Sequence, residues 1–147
     1  MNLLLSSFLF LSALTRTAFF EAIETDNEVV LEKMYNQVQK APYTEEKSAY
    51  LGAILMKQAA FKFLPTKKLS YFLEGKNLLE KAISKYPKNT ELRLIRLMIQ
   101  ENAPKFLGYY EESYSDAKYI KKMHPFLEEE LQKIVLGYAK KSKILSL

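Results

Sequence analysis

Apolar residues recur at the spacing of an α-helix along most of this chain. Within residues 28–40 and within residues 90–102 they repeat every three or four positions. Such a period, about 3.6 residues, is typical of amphipathic helices that bury one face. The expected buried positions are Val30, Met34 and Val38 in the first segment, and Leu92, Ile95, Met98 and Ile99 in the second. No Asn-Gly or Asp-Gly turn joins alternating runs, so the pattern predicts an all-α fold.

Polar groups, prolines and glycines interrupt this pattern and divide the chain into about six helices. The expected breaks are residues 24–27, Pro42, Pro65, the turn at Pro87 and Asn89, and the loop around Pro104 and Gly108. After that loop we expect a short helix over 116–123 and a last helix that starts near His124 and Pro125. The expected caps are Asp26 or Asn27 for the second helix, Thr44 for the third, and Asn89 or Thr90 for the fifth.

Residues 75–104 (GKNLLEKAISKYPKNTELRLIRLMIQENAP) form the most regular unit, a helix, a tight turn and a second helix. A helical hairpin of this kind buries its apolar stripe only by stacking on neighbouring hairpins. We therefore expect antiparallel hairpins stacked as in an α-solenoid, with Leu79 and Ile95 in the shared core. The buried side of the first helix in this hairpin, over 67–86, is expected to carry Leu69, Phe72, Leu79, Ala82, Ile83 and Tyr86.

Two signatures resemble the tetratricopeptide repeat. Small and apolar residues at spacings of four, three and five match its second helix and closing proline; they are Gly75, Leu79, Ala82 and Pro87. The run Tyr50, Leu51 and Gly52 resembles the first-helix signature, but 23 residues separate Gly52 from Gly75, where about half that is usual. The next helix has Arg93 and Arg96 where the repeat has bulky apolar residues. The resemblance implies a tetratricopeptide-like stack with a longer connection.

The stretch from Thr66 to Tyr109 is also similar to short exported proteins of Bacteroidetes-type bacteria. No activity is known for that group. This second resemblance therefore implies export without a particular function.

Composition limits the classes of function. With 147 residues, 48% apolar and 27% charged, the chain has the size for one core, and we expect a single helical domain over residues 15–147. It has no cysteine, which excludes disulfides, thiolate metal sites and a cysteine nucleophile. The net charge is +5, but both signs are interspersed along the predicted helices. That distribution favours a solvated mixed-charge surface over a nucleic-acid stripe.

The amino terminus predicts a compartment. Leu3 to Leu14 is an uncharged apolar run, shorter than the roughly 20 residues that cross a bilayer as a helix. We interpret residues 1–14 as a signal peptide, cut after Ala13 or, second, after Ala18. Signal peptides usually carry a lysine or arginine before the apolar run, and none precedes it here. The alternative interpretation is therefore that this run forms a buried first helix of a cytosolic protein. Without cleavage the run would act as an amino-terminal membrane anchor.

Catalytic signatures are lacking. The sole histidine, His124, precedes a proline, and a position at a helix start or on the surface accounts for it. No nucleophile elbow, phosphate-binding glycine loop or paired-histidine metal motif occurs. Neighbouring acids, such as those at 45–46, 111–112 and 128–130, are explained by the dipoles of helix first turns. We therefore expect no enzyme activity, no cofactor and no metal.

The candidate partner-binding residues are tyrosines and arginines. Tyr109, Tyr110, Tyr114 and Tyr119 cluster after the hairpin among lysines, and such rings anchor protein interfaces at low entropic cost. The alternative is that the rings cover the open end of the helical stack. A second candidate surface is the row Arg93, Arg96 and Gln100, which is expected to face away from the core.

These expectations lead to two functional hypotheses. The first is a non-enzymatic protein-binding or scaffold module that is exported, periplasmic or envelope-associated. It predicts a protein or peptide partner, no nucleic acid, membrane contact only through an uncleaved amino-terminal segment, and a groove between the third, fourth and fifth helices. The alternative is a cytosolic basic helical protein that binds nucleic acid or an acidic partner, with binding that falls steeply with salt.

Overall fold

The computed structural model describes residues 15–147, so the predicted signal peptide at 1–14 lies outside the described residues. Within residues 15–147 the fold is all-α without strands, as the sequence predicts. The helices are α1 at residues 15–24, α2 at Glu28–Lys40, α3 at Lys47–Gln58, α4 at Pro65–Lys85, α5 at Thr90–Asn102, α6 at Ser113–Met123 and α7 at Glu129–Ala139. Short 3₁₀ turns follow α3, α5 and α6, at Ala59–Phe61, Lys105–Leu107 and His124–Phe126.

The described residues therefore hold seven α-helices, where the sequence predicts about six. Both helices that the sequence predicts after the loop at Pro104 and Gly108 are present, but their bounds differ. There α6 begins at Ser113, three residues earlier than expected, and Pro125 lies in the 3₁₀ turn that separates α6 from α7. Because proline lacks an amide hydrogen and restricts the residue before it, α6 ends before Pro125 and a separate helix follows.

Two of the predicted caps are confirmed. The side chain of Asn27 accepts a hydrogen bond from the amide of Val30 at 3.1 Å, and Asn89 accepts one from the amide of Leu92 at 3.2 Å. The predicted cap at Thr44 is wrong, since α3 begins at Lys47 and the Thr44 carbonyl takes part in the preceding turn. Helix α4 begins at Pro65, because proline fits the first helical position, where no amide donor is needed.

Buried residues from all seven helices form one apolar cluster. Leu79 and Ile95 are fully buried, which confirms their predicted place in the core. Two predicted stripe positions are wrong: Val30 is exposed while its neighbour Leu31 is buried, and Leu69 is exposed. Helix α2 packs mainly on α3, and its buried face holds Met34 and Val38 as expected, with Leu31 in place of Val30. The expectation fails at this position because apolar spacing alone does not tell whether Val30 or its neighbour Leu31 faces the core.

The most extensive contact between described helices joins α3 and α4, and two glycines lie at its centre. A Cβ atom built on Gly75 would stand 2.3 Å from the carbonyl oxygen of Gly52, and one built on Gly52 would stand 2.5 Å from the carbonyl oxygen of Gly75. No side chain fits at such distances, and the neighbouring atom is backbone, which cannot rotate away. The two residues that carry the tetratricopeptide resemblance thus let the backbones of α3 and α4 touch.

Replacing Gly75 by alanine is expected to destabilise the protein. The methyl group would force α3 and α4 apart, at a cost of about 1 to 3 kcal/mol that exceeds the ~1 kcal/mol gained in helix propensity. Urea unfolding followed by circular dichroism measures the change.

The matched control is Gly137→Ala in α7, where an added Cβ meets no atom within 4 Å. This variant is expected to gain ~0.5 to 1 kcal/mol, because only the helix propensity changes. A gain of stability in both variants would contradict the close approach of the two helices.

Candidate functional site

A groove of about 1100 Å³ lies at one end of the helix bundle. Its floor is apolar and is formed by residues of α3, α4 and α5, chiefly Met56, Phe72, Met98 and Ile99. The ends of α1 and α7 and the segment after α5 complete its walls. A groove between the third, fourth and fifth helices is thus present.

The local sequence explains why space remains at this end. Helix α3 gives way to the 3₁₀ turn Ala59–Phe61, and α4 starts at Pro65, so the chain reverses direction within a few residues. The walls beside this corner carry the small side chains of Ala59, Ala60 and Ala103. Methyl groups occupy little volume, so these positions leave space at this end. Larger apolar side chains, those of Phe61, Leu69 and Phe106, are exposed at the rim.

The rim of the groove carries an excess of positive charge. Its acidic side chains are engaged within the protein: Glu24 pairs with Lys141, and Asp26 with Lys57 at 3.2 Å. Glu101 accepts hydrogen bonds from the Tyr138 hydroxyl at 2.6 Å, the Ser142 hydroxyl at 2.7 Å and the Lys143 amide at 2.5 Å. The ammonium groups of Lys68 and Lys143 line the groove without a carboxylate partner among residues 15–147.

A buried ionic cluster lies outside the groove and joins four helices. Arg16 of α1 donates from Nε to the carboxylate of Glu91 in α5 at 3.1 Å, and it also pairs with Glu128 and, at 3.0 Å, with Glu130. Glu91 is only 2% exposed and accepts a second hydrogen bond from the hydroxyl of Tyr50 in α3. Burial raises the pKa of Glu91 to about 7, although the charge of Arg16 and the Tyr50 hydrogen bond act in the opposite direction.

A second buried cluster joins α5 to α4 and α6. Asp116 is completely buried and receives Arg96 at 2.7 Å and 2.9 Å, together with Arg93 at 3.1 Å. Arg96 also donates to Glu80 at 2.9 Å, and Glu80 accepts from the Tyr109 hydroxyl at 2.5 Å. Burial alone would lower the pKa of Arg96, but the hydrogen bond and charge of Asp116 raise it overall. Arg96 therefore stays charged and serves as a structural cation.

The predicted outward row on α5 is wrong for two of its members. Arg96 is only 7% exposed, and Gln100 is buried as well, with hydrogen bonds to Glu112 at 2.5 Å and Ser113 at 3.3 Å. Helix α6 covers this face of α5, and Asp116 supplies the charge that makes burial of Arg96 tolerable. Arg93 keeps partial exposure while it donates to the carbonyl of Pro87.

The four tyrosines that sequence analysis grouped do not form one surface. Tyr109 is 4% exposed and packs edge-on against Phe72, with ring centres 5.9 Å apart. Tyr119 donates to the carbonyl of Lys88 at 2.9 Å and lies under the guanidinium of Arg93. Only Tyr110 and Tyr114 project into solvent. Tyr109 thus covers apolar surface of the core, the alternative role that the sequence allowed.

Within residues 15–147, no three side chains of histidine, aspartate or glutamate are arranged to hold a metal ion. The same part of the chain contains no helix that is both long and apolar enough to span a membrane. His124 lies at the start of the 3₁₀ turn between α6 and α7, remote from the groove lining.

In comparisons with known proteins, no family model matches the chain, and no curated protein or solved structure matches it significantly.

The raised pKa of Glu91 predicts how stability depends on pH. Between its ordinary value of 4.5 and its folded value of about 7, the folded protein holds a proton on Glu91 that the unfolded chain releases. Stability from this group is therefore full below the ordinary pKa and falls as pH rises, by up to about 3 kcal/mol. We expect the unfolding free energy of the wild type, measured relative to Glu91→Gln, to decrease across this window.

The control for that experiment is Glu129→Gln, because Glu129 is exposed and contacts only Lys133 in its own helix turn. This variant removes an exposed carboxylate, so a pH dependence found only in the comparison with Glu91→Gln belongs to the buried group. A wild type that gains stability relative to Glu91→Gln as pH rises would contradict the assignment.

Proposed function

We propose that this chain is a non-enzymatic, tetratricopeptide-like helical module of the bacterial envelope, and that it binds a segment of a partner protein in its groove. The observation that carries the proposal is the groove itself, an open space of about 1100 Å³ with an apolar floor and cations at its rim. Grooves of this kind between helices accept amphipathic segments whose apolar side chains act as anchors.

Charge complementarity specifies the partner segment. The carboxylates of Glu24, Asp26 and Glu101 are already satisfied, while Lys68 and Lys143 leave the rim positive. An occupant that places aspartate or glutamate against these lysines and aliphatic or aromatic side chains against Met56, Phe72 and Met98 would satisfy both features. We therefore propose an acidic amphipathic segment as the ligand.

The buried polar clusters support a binding role over catalysis. Glu91, Arg16 and Tyr50 bind one another, as do Asp116, Arg96 and Glu80, and none of these side chains lines the groove. A catalytic site needs polar groups that converge on a substrate. In this protein the buried charges hold helices together, and the floor of the groove offers apolar contacts instead.

Stacking of the tetratricopeptide kind belongs to the proposal. In its favour, the Gly52 and Gly75 backbones meet at the centre of the α3–α4 pair, and the residues that lengthen the connection lie beyond that contact, in the 3₁₀ turn and the corner before Pro65. Helices α4 and α5 follow as consecutive elements joined by the short turn at Pro87 and Asn89. Export is likewise proposed, from the apolar run Leu3 to Leu14.

If the leader is removed, the folded structure favours a cut after Ala13 over a cut after Ala18. Arg16 would be lost in the second case, and Glu91 would lose the cation that pairs with its buried carboxylate when it ionises. We expect the mature protein in envelope fractions to begin at Leu14, as intact mass spectrometry would show. A full-length protein in the cytosol would favour the alternative, a cytosolic basic protein that binds nucleic acid or an acidic partner.

Peptide selection tests the groove. A random peptide library displayed on phage and panned against the full chain is expected to yield amphipathic peptides enriched in aspartate and glutamate. Ala60→Trp, which fills the groove from an exposed position, should abolish their binding. The pair Lys68→Glu and Lys143→Glu should weaken it by roughly tenfold, since both rim charges change sign.

The matched control carries the same charge change on α6, as Lys121→Glu and Lys122→Glu, two exposed positions outside the groove lining. Binding to this variant should equal binding to the wild type. Selected peptides without acidic bias, or equal effects of the two lysine pairs, would show that the groove is not the binding site.

A further inference from the structure

We propose that the corner between α3 and α4 docks on an anionic lipid bilayer. This inference goes beyond the proposed function, because it concerns a partner of different chemistry and a surface that extends from the rim of the groove to Phe63, Leu64 and Leu73. The surface, called the corner patch below, consists of Phe61, Phe63, Leu64, Leu69, Leu73 and Phe106.

The corner patch exposes large apolar side chains that the fold leaves uncovered. Phe63 is 94% exposed and Phe106 is 88% exposed, and the leucines of the patch are about half exposed. Phe61, Leu69 and Phe106 share the rim of the groove. The 3₁₀ turns after α3 and α5 therefore lie at the same end of the bundle. Contiguous exposed apolar groups of this kind on a soluble domain mark a site of interaction.

Charge around the corner patch is positive. Residues 47–73 contain five lysines and no aspartate or glutamate. The acids near this region include Asp26, paired with Lys57 at 3.2 Å, Glu28, paired with Lys62 at 3.6 Å, and Glu74, which follows Leu73. Glu24 and Glu101 line the adjoining groove and are engaged by Lys141 and by the Tyr138 hydroxyl. Lys67, Lys68 and Lys105 flank the exposed phenylalanines and have no carboxylate partner in the described part of the chain. A surface of this composition attracts anionic lipids, each lysine near the bilayer adding to the attraction.

The shape of the corner favours a bilayer over a protein. Phe63 lies at a bend in the short link between the 3₁₀ turn and α4, and the groove lining includes Phe61 and Pro65 on either side of it. A protein partner would need a matching cavity for such a projection, whereas a bilayer accepts apolar side chains between its head groups. Pro65 at the first position of α4 also removes one of the unpaired amide donors that would otherwise enter the interface.

Sedimentation with lipid vesicles tests the proposal on the full chain. We expect binding to vesicles of equimolar phosphatidylglycerol and phosphatidylcholine and much weaker binding to pure phosphatidylcholine. The pair Phe63→Ser and Phe106→Ser should reduce the partition coefficient at least roughly tenfold, through loss of apolar contact. Lys67→Gln with Lys105→Gln should reduce it by on the order of tenfold at low salt and less at high salt.

The matched control is Phe126→Ser. Phe126 is a highly exposed phenylalanine in the 3₁₀ turn before α7, outside the corner patch. Its replacement should leave vesicle binding unchanged. Every variant retains the apolar run at residues 3–14, so differences in binding between variants do not come from that run. Equal binding of all variants, or no binding of the wild type to anionic vesicles, would overturn the proposal.

Fluorescence gives a local readout, because the chain has no tryptophan. Phe63→Trp introduces a single reporter at the corner patch, and Phe126→Trp introduces one at the control site. On addition of anionic vesicles we expect a blue shift and quenching by brominated lipids only for Phe63→Trp. Vesicle binding without either change at that position would overturn the proposal.

The two proposals fail separately. Neither Phe63 nor Phe126 lines the groove, so the fluorescence result does not depend on any peptide bound there. Conversely, peptides selected in solution test the groove without lipid. Loss of peptide binding in Ala60→Trp with vesicle binding intact would separate the groove from the corner patch.

Discussion

The fold depends on the burial of α5, a helix that carries ionisable side chains into the interior. Ten of its thirteen residues are buried, among them Glu91 and Arg96. A buried ion that lacks a partner costs several kcal/mol, so Arg96, and Glu91 when it is ionised, each require an opposite charge in a defined position. Arg16 of α1 satisfies Glu91, and Asp116 of α6 satisfies Arg96. The partners come from opposite ends of the chain, and the ion pairs therefore fix where α1 and α6 lie along α5.

This constraint also decides where a ligand can be bound. The buried ionisable side chains form ion pairs that connect helices. The Tyr50 hydroxyl donates to Glu91 in one cluster, and the Tyr109 hydroxyl donates to Glu80 in the other. What remains open is the end of the bundle, where small side chains leave the groove. Its floor is therefore apolar, and the charge available to a partner is the excess of lysine at the rim. A partner would therefore be recognised by apolar contacts with the floor and by acidic side chains that face the lysines of the rim.

Much of the fold could be predicted from the sequence, because helices and caps are local properties. The stripe of α5, the caps at Asn27 and Asn89 and the buried positions of Leu79 and Ile95 follow from spacing and side-chain chemistry alone. The burial of Arg96 could not be predicted in this way. A charged residue opposite an apolar stripe is expected to face water unless another helix covers it, and nothing within α5 reveals that Asp116 lies above it.

The candidate site was harder to predict for the same reason. Tyrosines after a helical hairpin suggest a contact surface, yet Tyr109 is drawn into the core by Phe72 and Glu80, which are distant in sequence. The corner patch, in contrast, is a continuous stretch of chain, and its signal was present in FKFLPTKK: phenylalanines and lysines without an acid. Its exposure required knowledge of the turn between α3 and α4.

The glycine contact and the groove are two consequences of the same helix pair. Gly52 and Gly75 bring the backbones of α3 and α4 together at one point, where no side chain separates them. One turn further toward the corner, Met56 and Phe72 stand between the same helices. Side-chain volume sets the distance between helix axes, and the glycines let α3 and α4 approach closely where Met56 also packs against Gly75. The same pair of helices thus supplies both the close backbone contact and the apolar floor of the groove, and the longer connection, with its exposed phenylalanines, lies at the groove end of the pair.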